Sequence, residues 1–167
     1  QKKLNYIQTN TNFNSINNVC DIFRKNSKEI DRDFRLITKG RKSAEISNTN
    51  GCSGKDIFVE KGSIIEYSTL NAKEGPIYIG KDAEIMEGSS IRGPFAMCEE
   101  SVIKMNTKIY GGTTLGPFCK VGGEVSNVVL FGYSSKSHDG FLGDSVIGQW
   151  CNLGAGSNNS NLKLLKP

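Results

Sequence analysis

The sequence predicts an all-β protein whose main part is a parallel β-helix of hexapeptide repeats, preceded by one short helix. An apolar residue recurs at every sixth position, eight times in succession, between Ile79 and Val121. The position two residues before each later member of this series is small in six of seven cases. The series is Ile79, Ile85, Ile91, Met97, Ile103, Ile109, Leu115 and Val121, and the earlier positions hold Ala83, Ser89, Phe95, Ser101, Thr107, Thr113 and Cys119.

A period of six residues distinguishes this pattern from the two common secondary structures. An α-helix repeats its apolar face about every 3.6 residues, and a half-buried strand repeats it about every 2. A hexapeptide repeat is typical of a parallel β-helix, in which each hexad forms one side of a triangular prism and its aliphatic residue points inward. Successive coils then lie about 4.8 Å apart. The alternative is an antiparallel β-sandwich with regularly spaced turns.

The segment before the repeats divides into three parts. Residues 1–19 are rich in Asn, Thr and Ser without a period, which predicts a linker. Residues 20–38 carry apolar residues at helical spacing with charges between them, which predicts an amphipathic helix of about four turns. Residues 39–55 are predicted to be a loop. The chain therefore divides into a linker and helix, 1–55, and a hexapeptide-repeat domain, 56–167, whose C-terminal coils we expect to be truncated.

The spacing of six also occurs on both sides of the main series, but in a different register. Between Val121 and Phe141 the regular spacing breaks, and the segment GEVSNVVLFGYSSKSHDG is predicted to form one more side followed by a loop that leaves the prism. The only histidine of the chain, His138, falls in this loop. The outlying members are Phe58, Ile64 and Leu70 before the main series, and Phe141, Ile147 and Leu153 after it.

The composition of the chain limits the kinds of ligand and site that it predicts. The formal net charge of +4 suits a phosphorylated or acidic small molecule, and no run of Lys and Arg is long enough to predict nucleic-acid binding. Five cysteines without a CxxC motif do not predict a disulfide framework or a zinc site and favour a reducing cytoplasm. No apolar run predicts a membrane span or a signal peptide.

His138 is the first candidate for chemistry. An imidazole near neutral pH is well suited to taking a proton from an amine. The alternative is a solvated loop histidine with no chemical role. Asp139 is a candidate for orienting the ring, although the Asp139-Gly140 pair is equally typical of a plain turn.

Other polar residues near the break have two interpretations each. Lys108 suits a phosphate group, and Glu124 accompanies it, although charges at repeat corners commonly form a solvated face. A set of asparagines follows, whose amides either hold a sugar hydroxyl or an acetyl group or form a ladder at the coil corners. These are Asn152, Asn158, Asn159 and Asn161. Neither GxGxxG nor GxxxxGK[ST] occurs, so no nucleotide-activating site is predicted in this chain.

The stretch HDGFLGDSVIGQWCNLGAGSNNSNL, residues 138–162, resembles the acetyltransferase half of the bifunctional N-acetylglucosamine-1-phosphate uridyltransferase/glucosamine-1-phosphate acetyltransferase family. His138, Asn152, Ala155 and Asn161 match the family pattern H-x-x-Y-x-G-D-x-x-x-G-x-x-x-N-x-G-A-G-T-x-x-x-N with the same spacing. The runs GPIYIGKDAEIMEGSSIRGPF, KVGGEV and NLGAGSNNSNLK are also similar to GlmU-like bacterial sugar nucleotidyltransferases. The resemblance covers about residues 20–163 and implies a left-handed parallel β-helix.

The resemblance also implies roles for single residues. His138 would be the general base that deprotonates a sugar amine as it attacks the acetyl-CoA thioester. Asn152 and Asn161 would position the amino sugar and the acetyl group, and the backbone N–H near Ala155 would face the thioester or pantetheine. Lys108 stands where the family has an Arg for the sugar phosphate, and Glu124 matches a family Glu. Mg²⁺ would serve only the nucleotidyltransferase domain of the family, which we expect to lie outside this sequence.

Two positions depart from the family pattern, since Phe141 replaces the family Tyr and lacks its hydroxyl, and Ser126 stands where a substrate-binding Lys is expected. We therefore carry two hypotheses. The first is a cytoplasmic acyltransferase domain that acts on a sugar phosphate within a homotrimer, and the second is a non-catalytic β-helix that trimerises or regulates a sugar-1-phosphate nucleotidyltransferase. A metal-dependent, carbonic-anhydrase-like protein would need several histidines from adjacent subunits, and this chain has one.

Overall fold

The computed structural model describes residues 14–159, which form one helix followed by fifteen short strands. The helix, α1, spans Cys20–Thr38 and confirms the predicted amphipathic helix. The strands are β1 (Gly51–Ser53), β2 (Ile57–Val59), β3 (Ile64–Ile65), β4 (Thr69–Asn71), β5 (Ile77–Ile79), β6 (Glu84–Ile85), β7 (Ser90–Arg92), β8 (Phe95–Met97), β9 (Val102–Ile103), β10 (Lys108–Ile109), β11 (Thr113–Leu115), β12 (Lys120–Val121), β13 (Glu124–Leu130), β14 (Ser135–Lys136) and β15 (Phe141–Ile147). β1 lies within the segment that the sequence predicts to be a loop.

The strands wind into a parallel solenoid of about five coils with three faces. Face one consists of β2, β5, β8, β11 and the second halves of β13 and β15, and face two consists of β3, β6, β9, β12 and β14. Face three consists of β1, β4, β7, β10 and the first halves of β13 and β15. Every strand pair is parallel, as in the predicted left-handed β-helix of hexapeptide repeats. The fold class predicted from the sequence is confirmed.

The core is the stack of inward side chains along the prism axis. All eight members of the apolar series between Ile79 and Val121 are at most 1% exposed, and all seven of the preceding positions are buried as well. Full burial of an aliphatic side chain stabilises a fold by about 1.5–3 kcal/mol. The six-residue period therefore arises because every sixth residue must contact its counterpart one coil above and below.

The outlying members of the apolar pattern do not all point inward. Ile64 is 59% exposed, and its neighbour Ile65 takes the inward position in register with Ile85. Phe141 likewise points outward, since it pairs in register with Glu124, and Leu142 is the buried residue of that strand. Phe58 pairs with Tyr78, and its neighbour Val59 takes the inward position in register with Ile79. The interpretation that put Phe58, Ile64 and Phe141 in the apolar column was therefore wrong by one residue, which reverses the face on a strand.

The predicted loop between Val121 and Phe141 does not leave the prism. Val102 pairs with Lys120, eighteen residues later, whereas Lys120 pairs with Ser135, only fifteen residues later. The spacing breaks because this coil is shorter than the others. β13 runs round one corner as a continuous strand, and the turn before it has only two residues, 122–123.

His138 therefore lies in an ordinary corner rather than in an extruded loop. Its turn, residues 137–140, has four residues between the flanking strands, as do the equivalent turns 86–89 and 104–107. The loop prediction is corrected for this reason, because a shortened coil disturbs a six-residue period just as an insertion does.

α1 packs along the outside of the solenoid, against β8, β11, β13 and β15. Ile30 is its buried residue. Asn26 fastens the helix to a corner, because its Nδ2 donates to Gly112 O at 2.7 Å and its Oδ1 accepts from Thr114 Oγ1 at 3.0 Å. Within residues 14–159, no helix has the length and apolar character needed to cross a membrane.

Candidate functional site

The candidate site lies along the edge between face two and face three. We call this edge the site corner, and it consists of the stacked turns 104–107, 122–123, 137–140 and 154–157. Backbone hydrogen bonds join neighbouring turns, for example from Gly156 N to Asp139 O at 3.1 Å. Parallel coils thus bring residues that are about sixteen positions apart in the sequence onto one surface.

Three of the sequence-predicted site residues are direct neighbours on face three. Lys108 pairs in register with Glu124, and Glu124 pairs with Phe141 on the next coil. The Nζ of Lys108 lies 3.5 Å from Oε2 of Glu124, so the two form an exposed ion pair. Along with Asn106, Gly123, Asp139 and Gly140, these three residues line an open pocket of about 380 Å³.

The backbone at this pocket is too close-packed for larger residues. Gly123 has a φ of +79°, and a Cβ on it would lie 2.7 Å from Gly140 O. Both the left-handed conformation and the close approach favour glycine. The GG pair of the sequence therefore lets the short turn 122–123 lie directly beside the turn that carries His138.

His138 is exposed in the turn next to the pocket. Its ring makes no hydrogen bond to any residue between 14 and 159, and this includes Asp139, so the predicted orienting contact is absent from the described part of the chain. The backbone of the turn is held instead, because His138 O accepts a hydrogen bond from Lys136 Nζ at 2.7 Å.

The remaining predicted residues lie around the same corner. Asn152 is exposed on face two, where it bridges to Ser135, and Ala155 is exposed in the turn 154–157 that stacks on the turn of His138. Asn161 lies outside the described residues. The structure thus places Lys108, Glu124 and Phe141 around one pocket, with His138, Asn152 and Ala155 on the coils that border it.

Two further asparagines close the last described coil. Asn158 Oδ1 accepts from Phe141 N at 2.6 Å, and Asn159 Oδ1 accepts from Gly143 N at 2.8 Å. Asn159 Nδ2 also donates to Gly143 O and to Ser145 Oγ. The ladder interpretation therefore describes Asn158 and Asn159, whose amides replace strand hydrogen bonds between coils.

Sequence reasoning missed Arg92 and Tyr110. They line a second pocket of about 320 Å³ on face three with Ser90 and Ile109, and Lys108 belongs to both pockets. Arg92 and Lys108 are outward residues on the neighbouring strands β7 and β10. The only sequence signal for Arg92 would have been the alternation of outward residues along β7, and the strong apolar period drew attention to the inward residues instead.

Sequence reasoning also missed Lys136, which occupies the inward position of β14 and is 1% exposed. Its Nζ donates to Gly122 O at 2.9 Å and to His138 O at 2.7 Å. Burial lowers the pKa of this ammonium, and the Asp139 carboxylate opposes that change. The sequence alone did not indicate that Lys136 lies in an aliphatic column, because this depends on the register of β14.

Among residues 14–159, no cluster of three or more His, Cys, Asp or Glu side chains is arranged to hold a metal ion. The groups present at the site corner and its pocket include the His138 imidazole, the Lys108 ammonium and the carboxylates of Glu124 and Asp139.

Comparison with known proteins shows which proteins the chain is similar to in sequence. No protein-family model matches the chain. The chain is 31% identical to the bifunctional protein GlmU of Wigglesworthia glossinidia brevipalpis over 140 residues, 82% of this chain and 26% of that protein. It is 27% identical to GlmU of Bordetella parapertussis over 127 residues, 70% of this chain and 28% of that protein. A third relative, GlmU of Synechococcus elongatus, is 26% identical over 119 residues.

The matched region spans about a quarter of the length of these relatives. The resemblance seen in the sequence is confirmed by these alignments, and the parallel solenoid agrees with it. The chain is therefore a GlmU-like protein over its hexapeptide-repeat region.

Proposed function

We propose that this chain is the acyltransferase domain of a sugar-nucleotide biosynthetic enzyme and transfers acetyl from acetyl-CoA to an amino-sugar 1-phosphate. The observation that carries the proposal is the pocket on face three, which combines Lys108 and Glu124 with the turn of His138. A cation for a phosphate, a carboxylate for hydroxyls and a base for an amine are the groups that such a substrate needs. The likeness to GlmU proteins supports the same class of reaction.

In the proposed reaction, His138 acts as general base. Its imidazole takes a proton from the sugar amine while the amine nitrogen attacks the thioester carbonyl. The new N–C bond forms, the C–S bond breaks, and the imidazolium returns the proton to the departing thiolate. The backbone N–H near Ala155 donates to the carbonyl oxygen as its negative charge develops.

The other residues bind and orient the substrates. Lys108 contacts the phosphate, and Arg92 on the neighbouring strand adds a second cation to the same face. Glu124 accepts from sugar hydroxyls, and Phe141 packs against the sugar ring. Asn152 and Asn161 hold the amino sugar and the acetyl group, and such orientation lowers the barrier because the reacting atoms are already aligned.

We further propose a cytoplasmic homotrimer in which the site is completed by a neighbouring prism. The pocket on face three is partly open to solvent, which leaves room for a neighbouring prism to cover it. The curated relatives are named bifunctional, which supports a second activity in the full-length protein. We assign that activity to a nucleotidyltransferase domain that requires Mg²⁺.

The alternative proposal is a non-catalytic β-helix that assembles or regulates a nucleotidyltransferase. Two observations favour it. The ring of His138 has no orienting hydrogen bond within residues 14–159, and Phe141 lacks the hydroxyl that the resemblance implies at its position.

The deciding experiment is acetyl transfer from acetyl-CoA to glucosamine-1-phosphate by the full-length protein, followed as release of free thiol. Replacing His138 with Gln is expected to lower kcat about 10²- to 10⁴-fold, the usual contribution of a general base. Lys120→Gln, on the exposed side of β12, is the matched control and is expected to leave the rate unchanged. If a well-folded trimer transfers acetyl to no amino-sugar phosphate, the acyltransferase proposal is wrong and the non-catalytic assembly role remains.

A further inference from the structure

The interior of the solenoid contains one charged side chain in an otherwise apolar column. The inward position of each strand on face two is aliphatic in every other described coil, and all of these side chains pack along the prism axis. In β14 the same position holds Lys136, which is 1% exposed. The aliphatic members of the column are Ile65, Ile85, Ile103, Val121 and Leu153.

The ammonium of Lys136 is bound to the backbone of two adjacent turns. It donates to Gly122 O at 2.9 Å and to His138 O at 2.7 Å. Within residues 14–159 neither carbonyl accepts from any other donor. A buried charge needs such partners because it has lost its hydration shell, and the two carbonyls equally need a donor.

The short turn explains why a long donor is needed at this point. The four-residue turns 86–89 and 104–107, which stack on the same edge, are joined by a direct backbone bond from Asn106 N to Glu87 O at 3.0 Å. The turn 122–123 has two residues and faces a turn of four, 137–140, so direct backbone bonds lie only at its edges, from Gly122 N to Lys136 O at 2.7 Å and from Glu124 N to Gly140 O at 3.2 Å. Lys136 reaches from the interior to both turns and bridges the mismatch.

We propose that Lys136 is a positioning residue, whose ammonium fixes the turn of His138 against the short turn 122–123 and thereby sets the place of the imidazole beside the pocket. The inference rests on the proposed function, since it assigns His138 as the base that must be placed. Asp139 and Gly140 of the same turn line the pocket, so the turn that Lys136 holds also forms the pocket wall.

The test compares Lys136→Met with the wild-type chain. Met keeps the length and the apolar stem of the side chain but removes both hydrogen bonds. Ile103→Met is the matched control, because Ile103 is a fully buried member of the same column and makes no polar contact through its side chain. The readouts are thermal unfolding, acetyl-transfer kinetics, and the ring signals of His138 in a ¹H–¹³C NMR spectrum, which are unambiguous because the chain has one histidine.

Lys136→Met is expected to lower kcat by about 10- to 100-fold, since a displacement of about 1 Å can cost a catalytic group that much. The KM for the amino-sugar phosphate is expected to change less than kcat, because the Lys136 ammonium makes its hydrogen bonds to Gly122 O and His138 O and none to Lys108 or Glu124. The His138 ring signals should shift or broaden. In Ile103→Met, kcat and the ring signals should match those of the wild type.

Unchanged kcat and unchanged His138 signals in Lys136→Met, with only a changed unfolding temperature, would overturn the proposal and leave Lys136 as a structural filler. A wild-type protein without acetyl transfer would refute the proposed function instead, and the NMR comparison would still decide whether Lys136 holds the turn. If Lys136→Met does not fold, Lys136→Gln retains an N–H donor. The ring signals of His138 in this Gln variant are then compared with those of the wild type and of the urea-unfolded chain. Signals closer to the wild type would support the bridge, and random-coil signals in a folded Gln variant would oppose it.

Discussion

At the scale of single residues, Lys108 is the most direct test of phosphate binding. Its ion pair with Glu124 spans 3.5 Å, and the two side chains are 63% and 37% exposed. An exposed pair of this kind stabilises a fold by about 0–1 kcal/mol. Replacing Lys108 with Met should therefore change the free energy of unfolding little, whereas a lost charge-assisted hydrogen bond of about 1.5–3 kcal/mol should raise KM for the phosphorylated sugar about 10- to 100-fold.

The measurement is steady-state kinetics with urea denaturation of the same samples. Lys120→Met, on face two, is the control for loss of an exposed lysine on a strand. An unchanged KM in Lys108→Met would mean that the phosphate does not bind at this end of face three.

Cysteine reactivity gives a second prediction at the residue scale. Burial raises the pKa of Cys98 to about 11, and Glu99 and Cys119 add to the effect. Burial also raises the pKa of Cys119. Because the thiolate is the nucleophile, iodoacetamide at pH 8 should label exposed Cys151 readily and leave Cys98 and Cys119 nearly unmodified.

Mass spectrometry of tryptic peptides distinguishes the sites. Labelling of Cys98 should increase as the pH rises towards the raised pKa of this thiol in the folded protein, because a larger fraction of it is then thiolate. A sample denatured in urea should label all five cysteines at similar rates. Labelling of Cys98 as fast as Cys151 in the native protein at pH 8 would contradict its burial.

At the scale of elements, the corner between face one and face two carries a ladder of aromatic rings. Phe118, Tyr133 and Trp150 occupy equivalent positions in successive coils, and each has a φ between +58° and +61°. Their ring centroids lie 5.0 Å and 4.5 Å apart with nearly parallel planes. The left-handed conformation costs about 1–2 kcal/mol for a residue with a side chain. Each stack returns about 0.5–1.5 kcal/mol beyond its buried area.

Replacing Tyr133 with Gly tests this balance. Gly relieves the backbone cost but removes both stacks together with the area that they bury, and it adds its own entropic cost, so the free energy of unfolding should fall. Glu100→Gly at the equivalent position, where φ is +53° and no ring is stacked, should leave stability unchanged or slightly higher. Urea denaturation followed by fluorescence of Trp150, the single tryptophan, provides the measurement. Equal effects of the two variants would show that the ladder contributes nothing.

At the scale of the whole molecule, the proposed trimer has a direct test. Sedimentation equilibrium should give three times the chain mass of 18.2 kDa. If the site is completed by a neighbouring chain, acetyl-transfer activity per chain should fall on dilution at the concentration where the trimer dissociates. A monomer with full activity would contradict the shared site.

The repeat architecture itself was predictable because one physical requirement recurs at every coil. Each inward residue must contact its counterpart above and below, so the period from Ile79 to Val121 appears in the sequence without any tertiary information. The helix was predictable because its apolar residues recur at helical spacing, and Ile30 among them is buried. Of the site, His138, Lys108 and Glu124 were accessible from residue chemistry and spacing alone.

The sequence by itself therefore determined the parallel coil, the inward column and the identity of most candidate side chains. Only the tertiary structure decided how the short coil is accommodated, because a break in a period does not say whether residues are added or removed. The turn 122–123, the outward direction of Phe141 and the neighbourhood of Lys108, Glu124 and Phe141 all depend on that register. The role of Lys136 follows from it too, since a lysine becomes a bridge only when its strand position faces the interior and two unmatched turns lie within its reach.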